Sequence, residues 1–446
     1  MAARLRLRHL WLLVPFWALA LRSALPVRDN SFLWHVRAGI DQLAAGDVIR
    51  NDPYSFTRAG APWRTQSWLV ELGYGRLEAW FPGLGWVPWF LLAVMGATLA
   101  VVLAVLWSRN GGHLGVIVTL VTVGWLIQPY VQPRPVSVGL ALLAVVGAVT
   151  AMRRPSLWAV PPLMWLWAAV HGSFVLGLVF LGLDAVRRRS RRQLLAVVLG
   201  AVAATLTAHG FGVWHILADF VANREGLSLI QEWRPPDFTT PWLAAFLVLL
   251  ALLMAGLAAG RIPAAALWMV VPAVVLALTS ARGVFASVLV LAPWLGDAAM
   301  VVPDRNETPA SRFVVWATAL AMAVTAVVLL TGSGEVDDSL FPTAEAVAAV
   351  GDGPVFTSVG VAGFLLYSAE GRRVFIDDRV ELYGADFLTR YQRAADGQEW
   401  RRLFAEHDIR QALLEVGGPL LDRLGEDGWV ACHRDATFVV VAVTCG

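Results

Sequence analysis

Acidic, imidazole and guanidinium side chains in this chain are concentrated at the edges of long apolar stretches. Carboxylates and imidazoles can accept a proton or ligate a metal, and arginines bind phosphate groups. Residues of these types at such edges are Asp29, His35, Asp52, Glu71, Arg134, His171, His209 and Arg282. Their positions predict a chemically active polar face where an apolar scaffold meets water.

The composition indicates that this scaffold is a membrane domain. Hydrophobic residues make up 58% of the sequence and charged residues only 15%, whereas soluble domains are about half apolar and about a quarter charged. The 21 tryptophans suit rings placed at the level of the lipid headgroups. The net charge of +2 is too small to identify a partner, and nothing in it points to nucleic acid.

A bilayer crossing takes about 20 apolar residues, which makes the chain an α-helical polytopic membrane protein with about 11 spans. The first stretch follows basic residues as a signal peptide does, but no small-residue cleavage site follows it, so it is taken as a retained helix. The predicted spans lie near residues 9–25, 84–107, 113–130, 135–152, 157–171, 173–186, 192–208, 241–260, 263–280, 283–301 and 312–331.

Arginines recur on alternate loops, as at Arg109, Arg153, the 187–192 run and Arg261. Because cytoplasmic loops are rich in basic residues, we expect a bacterial inner-membrane protein with a cytoplasmic N-terminus. The extracytoplasmic parts are then the first loop 26–83, the loop 209–240 and the tail. This divides the chain into a transmembrane domain 1–332, which includes the first loop, and an extracytoplasmic domain 333–446.

The first loop and the tail both have internal order. In the first loop, Asn30 or Ser31 can cap a helix that ends at Gly46, and a second helix begins near Ser67. Both helices are expected to lie on the membrane surface. In the tail, strands at 354–359, 373–377, 412–416, 429–432 and 437–443 alternate with helices at 343–350, 385–395, 399–406 and 419–424, which predicts a small α/β domain.

Two cysteines, Cys432 and Cys445, lie in this tail. An oxidising compartment permits a disulfide. A hairpin turning at residues 433–436, however, would place Cys432 opposite Thr437 and away from Cys445, which disfavours direct bridging unless the last residues fold back.

Three motifs stand out in the first loop: Asp29 near Trp34-His35, Asp52-Pro53-Tyr54-Ser55-Phe56-Thr57 and Trp68-Leu69-Val70-Glu71. In these motifs the loop resembles that of bacterial polytopic proteins related to the GT-C glycosyltransferases. Residues 170–174, 231–238 and 374–384 look like the same group. The chain departs from the common pattern because Asn30, rather than a second acid, follows Asp29, and it lacks the Trp-Trp-Asp motif of oligosaccharyltransferases.

The resemblance implies a GT-C-like fold and transfer of a sugar from a polyprenyl-phosphate-linked donor to an acceptor on the extracytoplasmic face. Asp29 then matches the catalytic base or a metal-holding acid, and a divalent cation, Mg²⁺ or Mn²⁺, is the cofactor it allows. Arg134 and Arg282 are the candidate phosphate partners. His35, Asp52, Glu71, His171 and His209 complete the predicted substrate-binding set.

Each candidate also has a structural explanation. Asp29 can cap a helix, His35 and Glu71 can be solvated on surface helices, and Asp52 before Pro53 is a natural turn former. His171 and His209 can satisfy backbone carbonyls, and the two arginines can extend towards lipid headgroups. Two other protein classes also stay open, a lipid-linked glycan flippase or transporter and a non-catalytic membrane assembly protein. A transporter usually has ionisable groups at mid-membrane depth, and the predicted spans have none near their centres.

Overall fold

Helices dominate the computed structural model, which describes residues 6–109, 113–222, 231–300, 309–331 and 334–445. The chain divides into two units. The first comprises Met1–Leu25, Leu84–Val213 and Ile230–Gly334, and the second Pro26–Gly83, Trp214–Leu229 and Glu335–Gly446. The first loop therefore belongs to the same unit as the tail, whereas the sequence analysis placed it with the transmembrane domain.

Every predicted span coincides with helical structure in the first unit. Among the described residues, several apolar helices are short and five are long and apolar enough to cross a membrane: Val87–Arg109, His113–Tyr130, Pro241–Ala258, Ala281–Ala299 and Arg312–Thr331. The chain is thus a multi-pass membrane protein, and the count of eleven crossings stays a prediction. The helices are α1 (Leu7–Ser23), α4 (Val87–Arg109), α5 (His113–Ile127), α6 (Pro135–Ala151), α7 (Val160–Val170), α8 (Phe174–Arg187), α9 (Arg191–Ala204), α11 (Pro241–Ala258), α12 (Leu267–Thr279), α13 (Ala281–Ala299) and α14 (Arg312–Thr331).

Polar contacts group the helix ends of the first unit into two sets. At one end, Glu232 pairs with Arg134 before α6 and with Arg282 at the start of α13. At the other end of α6, Arg188 donates to the Thr150 carbonyl at 2.6 Å, and Arg109 pairs with Asp297 near the end of α13. This grouping agrees with the predicted alternation of the loops. Which end faces the cytoplasm stays a prediction.

The second unit begins with α2 (Asn30–Ala45) and α3 (Trp68–Trp80), close to the predicted helices. Asp29, rather than Asn30 or Ser31, is the N-cap of α2, and Gly46 ends it in the left-handed conformation. Phe32, Leu33 and Val36 of α2 are fully buried, and Trp34 and Ala38 belong to a hydrophobic core that includes Leu365 and Val440 of the tail. The position of α2 and α3 on the membrane surface stays a prediction. A further helix, α10 (Gly212–Ala222), precedes the undescribed part of the 209–240 loop.

The tail forms a four-stranded mixed sheet in the order β1-β2-β4-β3. β1 (Val355–Thr357) pairs in parallel with β2 (Gln411–Glu415), and β4 (Phe438–Ala442) pairs antiparallel with both β2 and β3 (Val430–Arg434). The helices around it are α15 (Ala344–Ala348), α16 (Val359–Ser368), α17 (Val380–Ala395), α18 (Trp400–Glu406) and α19 (Pro419–Glu426). The predicted α/β class of the tail is confirmed.

Two predicted details of the tail are wrong. Residues 373–377 form no strand, since Val374 makes only an isolated bridge to Ser55 of the first loop. Cys432 and Cys445 are bonded, with their Cα atoms 5.4 Å apart. The distance argument failed because the predicted turn at residues 433–436 gave the wrong register: His433 pairs with Val440 and Ala431 with Val441, so Cys432 does not lie opposite Thr437.

Candidate functional site

The first unit brings the two predicted phosphate partners together. Arg282 donates from Nε and Nη2 to Glu232 Oε2, both at 2.6 Å. Arg134 Nη1 lies 3.9 Å from the other oxygen of the same carboxylate. The three side chains are only 24–32% exposed, and the Arg282 guanidinium lies over the Trp233 ring. We call Arg134, Glu232 and Arg282 the arginine pair site.

Local sequence explains this geometry. Arg134 is held extended as the residue before Pro135, which opens α6. Ser280 caps α13 by accepting from the Gly283 amide, so Arg282 stands in the first turn. Helix N-termini carry partial positive charge. Two guanidiniums and two helix N-termini thus face one carboxylate, an arrangement that can bind an anion.

His171 lies near this site along α6. Its Nδ1 accepts the Ser173 amide at 3.0 Å and contacts the Ser173 hydroxyl at 2.9 Å. A Cβ at Gly139 would come within 3.4 Å of His171 Cβ, so the histidine packs about five residues, or roughly 7.5 Å, along α6 from Arg134. His209 lies in the turn between α9 and α10.

The remaining predicted residues lie in the second unit. Asp29 is buried at 5% exposure, and its Oδ1 accepts the Phe32 amide at 3.1 Å. His35 and Glu71 contact each other, with Nδ1 2.7 Å from Oε1. Burial raises the pKa of the Tyr74 hydroxyl, and the negative charges of Glu71 and Asp29 raise it further.

Asp52 belongs to a third, wholly buried cluster. It accepts Arg379 Nη2 at 2.7 Å, the Ser55 hydroxyl at 2.5 Å and the Tyr54 amide at 3.0 Å. Arg379 also binds Asp377 through Nε and Nη2, and its guanidinium lies 4.4 Å from the centre of the Trp63 ring. We call Asp52, Asp377 and Arg379 the buried arginine cluster.

Burial acts differently on the pKa of Arg379 and on the pKa of the neighbouring Glu381. Burial lowers the pKa of Arg379, but the Asp377 carboxylate outweighs that effect and leaves the pKa well above its usual value. Arg379 therefore remains charged. Burial also raises the pKa of the nearby Glu381 carboxyl, although a hydrogen bond from Trp63 opposes the shift. Asp52 is consequently fixed as a partner of a permanent cation.

Sequence reasoning placed Glu232 as a residue that lines the outer mouth or anchors a proline-rich loop, but not as the partner of the two arginines. It gave no site role to Thr65 or Gln42. Thr65 and Gln42 both donate to Glu71. Among the described residues, no group of three or more His, Cys, Asp or Glu side chains comes together as a candidate metal site, and the divalent cation stays a prediction.

No protein-family model matches the chain. No curated protein matches it either. Among solved structures, ArnT from Cupriavidus metallidurans bound to undecaprenyl phosphate is similar over 98% of this chain and 97% of that chain, with 15% identity and a TM-score of 0.48. That degree of similarity establishes no shared activity, and the chemistry has to be inferred from this chain's own residues.

Proposed function

We propose that the protein is a membrane glycosyltransferase. It moves a sugar from a polyprenyl-phosphate-linked donor to an acceptor on the extracytoplasmic face. The observation that carries this proposal is the arginine pair site, in which Arg134 and Arg282 converge on one carboxylate at the starts of two apolar helices.

The surroundings of the arginine pair favour a phosphate that carries an apolar chain. The helices α6 and α13 continue directly from the two arginines as apolar segments of 17 and 19 residues. A polyprenyl phosphate has the same arrangement, a charged head followed by a hydrocarbon chain. Glu232 then holds the guanidiniums in place until the phosphate binds.

Sugar transfer from such a donor develops negative charge on the phosphate and positive charge on the sugar, and both need compensation. The bond to the phosphate oxygen breaks with its electron pair leaving on the phosphate, whose charge the two arginines stabilise. The sugar becomes positively charged in the transition state. Asp29 is the proposed catalytic carboxylate. A carboxylate can take the acceptor's proton or stabilise the positive sugar.

A transfer assay tests the role of the arginine pair. The full chain in nanodiscs is incubated with radiolabelled polyprenyl-phosphate sugars, and label on an acceptor is measured. We expect Arg282→Gln to lower turnover by about 10²–10³, the usual effect of removing one oxyanion donor. Arg261→Gln, which changes an exposed arginine on another loop, is the matched control and should leave transfer unchanged. Movement of the lipid without a covalent product would instead indicate a flippase.

Asp29→Asn separates catalysis from helix capping. Asn and Asp are about equally good N-caps, so the variant should keep α2 intact while removing the charge. We expect transfer to be abolished with normal expression and membrane insertion. Full transfer by this variant would remove Asp29 from the catalytic machinery.

We also propose that the tail and first loop lie outside the cytoplasm of a bacterial cell. The Cys432–Cys445 disulfide supports this, since such bonds persist mainly in oxidising compartments. A periplasmic reporter fused after the last residue should be active, and a cytoplasmic reporter at the same place should not.

A further inference from the structure

Helices α2 and α3 carry an imidazole–carboxylate pair, His35 and Glu71, in which the carboxylate has three hydrogen-bond partners. Glu71 is fully buried. It accepts the Thr65 hydroxyl at 2.5 Å, Gln42 Nε2 at 2.8 Å and His35 Nδ1 at 2.7 Å. A carboxylate in this position keeps the imidazole proton on Nδ1, so Nε2 presents its lone pair.

His35 keeps a route to a ligand. Its side chain is 12% exposed. In the described part of the chain, its Nε2 has no hydrogen-bond partner, and it is not among the buried unpaired atoms. The Trp34 ring stacks on the imidazole with 3.6 Å between the ring centres. The ring is thus fixed by Glu71 and Trp34 while one nitrogen remains accessible.

A close helix crossing creates the pair. A Cβ at Gly39 would lie 1.8 Å from the Glu71 carbonyl oxygen, and one at Gly75 would lie 2.4 Å from the Gly39 carbonyl carbon. The two backbones therefore touch, which brings Glu71 to His35. Burying a carboxylate costs free energy that an apolar contact would not. Helix packing alone does not require this group.

On the basis of the proposed glycosyl transfer, we propose that His35 accepts the proton of the acceptor hydroxyl and that Glu71 is its positioning residue. As the acceptor oxygen bonds to the anomeric carbon, its O–H bond breaks and the proton moves to His35 Nε2. The electron pair of the breaking sugar–phosphate bond leaves on the phosphate. Asp29 then stabilises the positive charge on the sugar rather than taking the proton. The Glu71 carboxylate stabilises the imidazolium that forms on His35.

Glu71 is the charged side chain that contacts the His35 ring, and other charged groups nearby have partners of their own. On α2, Arg37 and Asp41 pair with each other at 2.8 Å. Arg379 lies beyond the Trp34 ring, 5.8 Å from its centre. The titratable or charged groups on α3 and α16, the two helices packed most extensively against α2, are Glu71, Tyr74, Arg76, Glu78 and Tyr367.

His35→Asn is the decisive variant in the transfer assay. The asparagine amide nitrogen can take the place of Nδ1 and keep the bond to Glu71, but the variant lacks Nε2. We expect kcat to fall by about 10²–10⁴ with KM within about twofold. Wild-type kcat in His35→Asn would overturn the proposal.

Glu71 is tested by the split between kcat and KM. Glu71→Gln keeps the shape of the side chain and removes the charge that stabilises the imidazolium, so kcat should fall while KM stays within about twofold. Glu71→Asp, which restores a carboxylate, should recover part of the loss. A wild-type kcat in Glu71→Gln, or no recovery in Glu71→Asp, would reject the positioning role.

Chemical labelling tests His35 without any need for activity. Diethyl pyrocarbonate reacts with accessible, unprotonated imidazole nitrogens, and mass spectrometry of the labelled full chain locates the adduct. We expect His35 to be labelled along with the exposed His215; no label on His35 while His215 reacts would overturn the proposal. If the wild type transfers no sugar, the proposed function fails and the labelling still decides on His35. If His35→Asn transfers normally, only the base assignment fails.

Discussion

Two clusters of arginine and carboxylate side chains, one in each unit, differ in what they leave for a ligand. In the arginine pair site, two guanidiniums share Glu232, and all three side chains are partly exposed. In the buried arginine cluster, two carboxylates share Arg379, and every member is at most 3% exposed. The first presents two guanidiniums around one partly exposed carboxylate, within reach of an anion. The second uses the same residue types to hold a fold together.

The comparison shows why residue type alone does not identify a binding site. Asp52 and Arg282 were both predicted to contact substrate. Asp52 has its oxygens occupied by Arg379, Ser55 and Tyr54, so its structural explanation accounts for it fully. Arg282 is paired with a carboxylate that is itself partly exposed, a contact that a stronger anion could replace. Burial and the number of partners separate the two roles.

The largest expected effect is on the buried cluster. Arg379→Met leaves Asp52 and Asp377 buried without their cation, which should destabilise the second unit by about 3–5 kcal/mol. Hydrogen exchange of the full chain in detergent measures this as faster exchange in β1 and β2. Unchanged exchange would mean that the cluster contributes little to the fold.

An exposed ion pair of the same unit provides the control for Arg379→Met. Arg401 pairs with Asp427 at 2.6 Å, with side chains 68% and 37% exposed. Exposed pairs contribute little because water and salt screen them. Arg401→Gln should therefore leave the exchange of β1 and β2 at the wild-type rate.

A smaller effect is expected from removing the disulfide. The bond joins two cysteines with a sequence separation of 13, and closing a loop of this size raises the free energy of unfolding by about 2–3 kcal/mol. Replacing Cys432 and Cys445 with serine should speed exchange at β3, which is the edge strand. Exchange at the β1–β2 pair should change less. Equal acceleration throughout the sheet would show that the bond supports the whole domain rather than its edge.

The parts of the fold that the sequence predicted are those with local causes. Long apolar runs have few alternatives to membrane helices, and Gly46 ends α2 because glycine readily takes the left-handed conformation. The cap of α2 was placed one residue late because Asp29, Asn30 and Ser31 are all good caps. The α/β class of the tail followed from the short strand-like and helix-like segments that alternate along its sequence.

The parts that the sequence missed depend on distant contacts. Helix α16 was not predicted because its run Val359–Ser368 has no polar periodicity. In the fold it packs on α2, and a Cβ at Gly363 would lie 2.1 Å from the Asn30 carbonyl oxygen. Asp52 and Arg379 are 327 positions apart, and Glu232 and Arg282 are 50 apart. No local pattern pairs such residues, so the partners of each candidate could not be read from the sequence.

The smallest expected effect is that of Glu232 on the KM for the donor. If Glu232 merely holds the arginines until a phosphate binds, Glu232→Gln should lower the donor KM by about 5–10-fold, or roughly 1 kcal/mol, because the phosphate no longer displaces a charge. The kcat should change little, since Arg134 and Arg282 remain. Titration of the donor in the transfer assay measures both constants. A raised KM would mean that Glu232 itself contacts the donor or is needed to aim the guanidiniums, and the arginine pair site would then share the fixed character of the buried cluster.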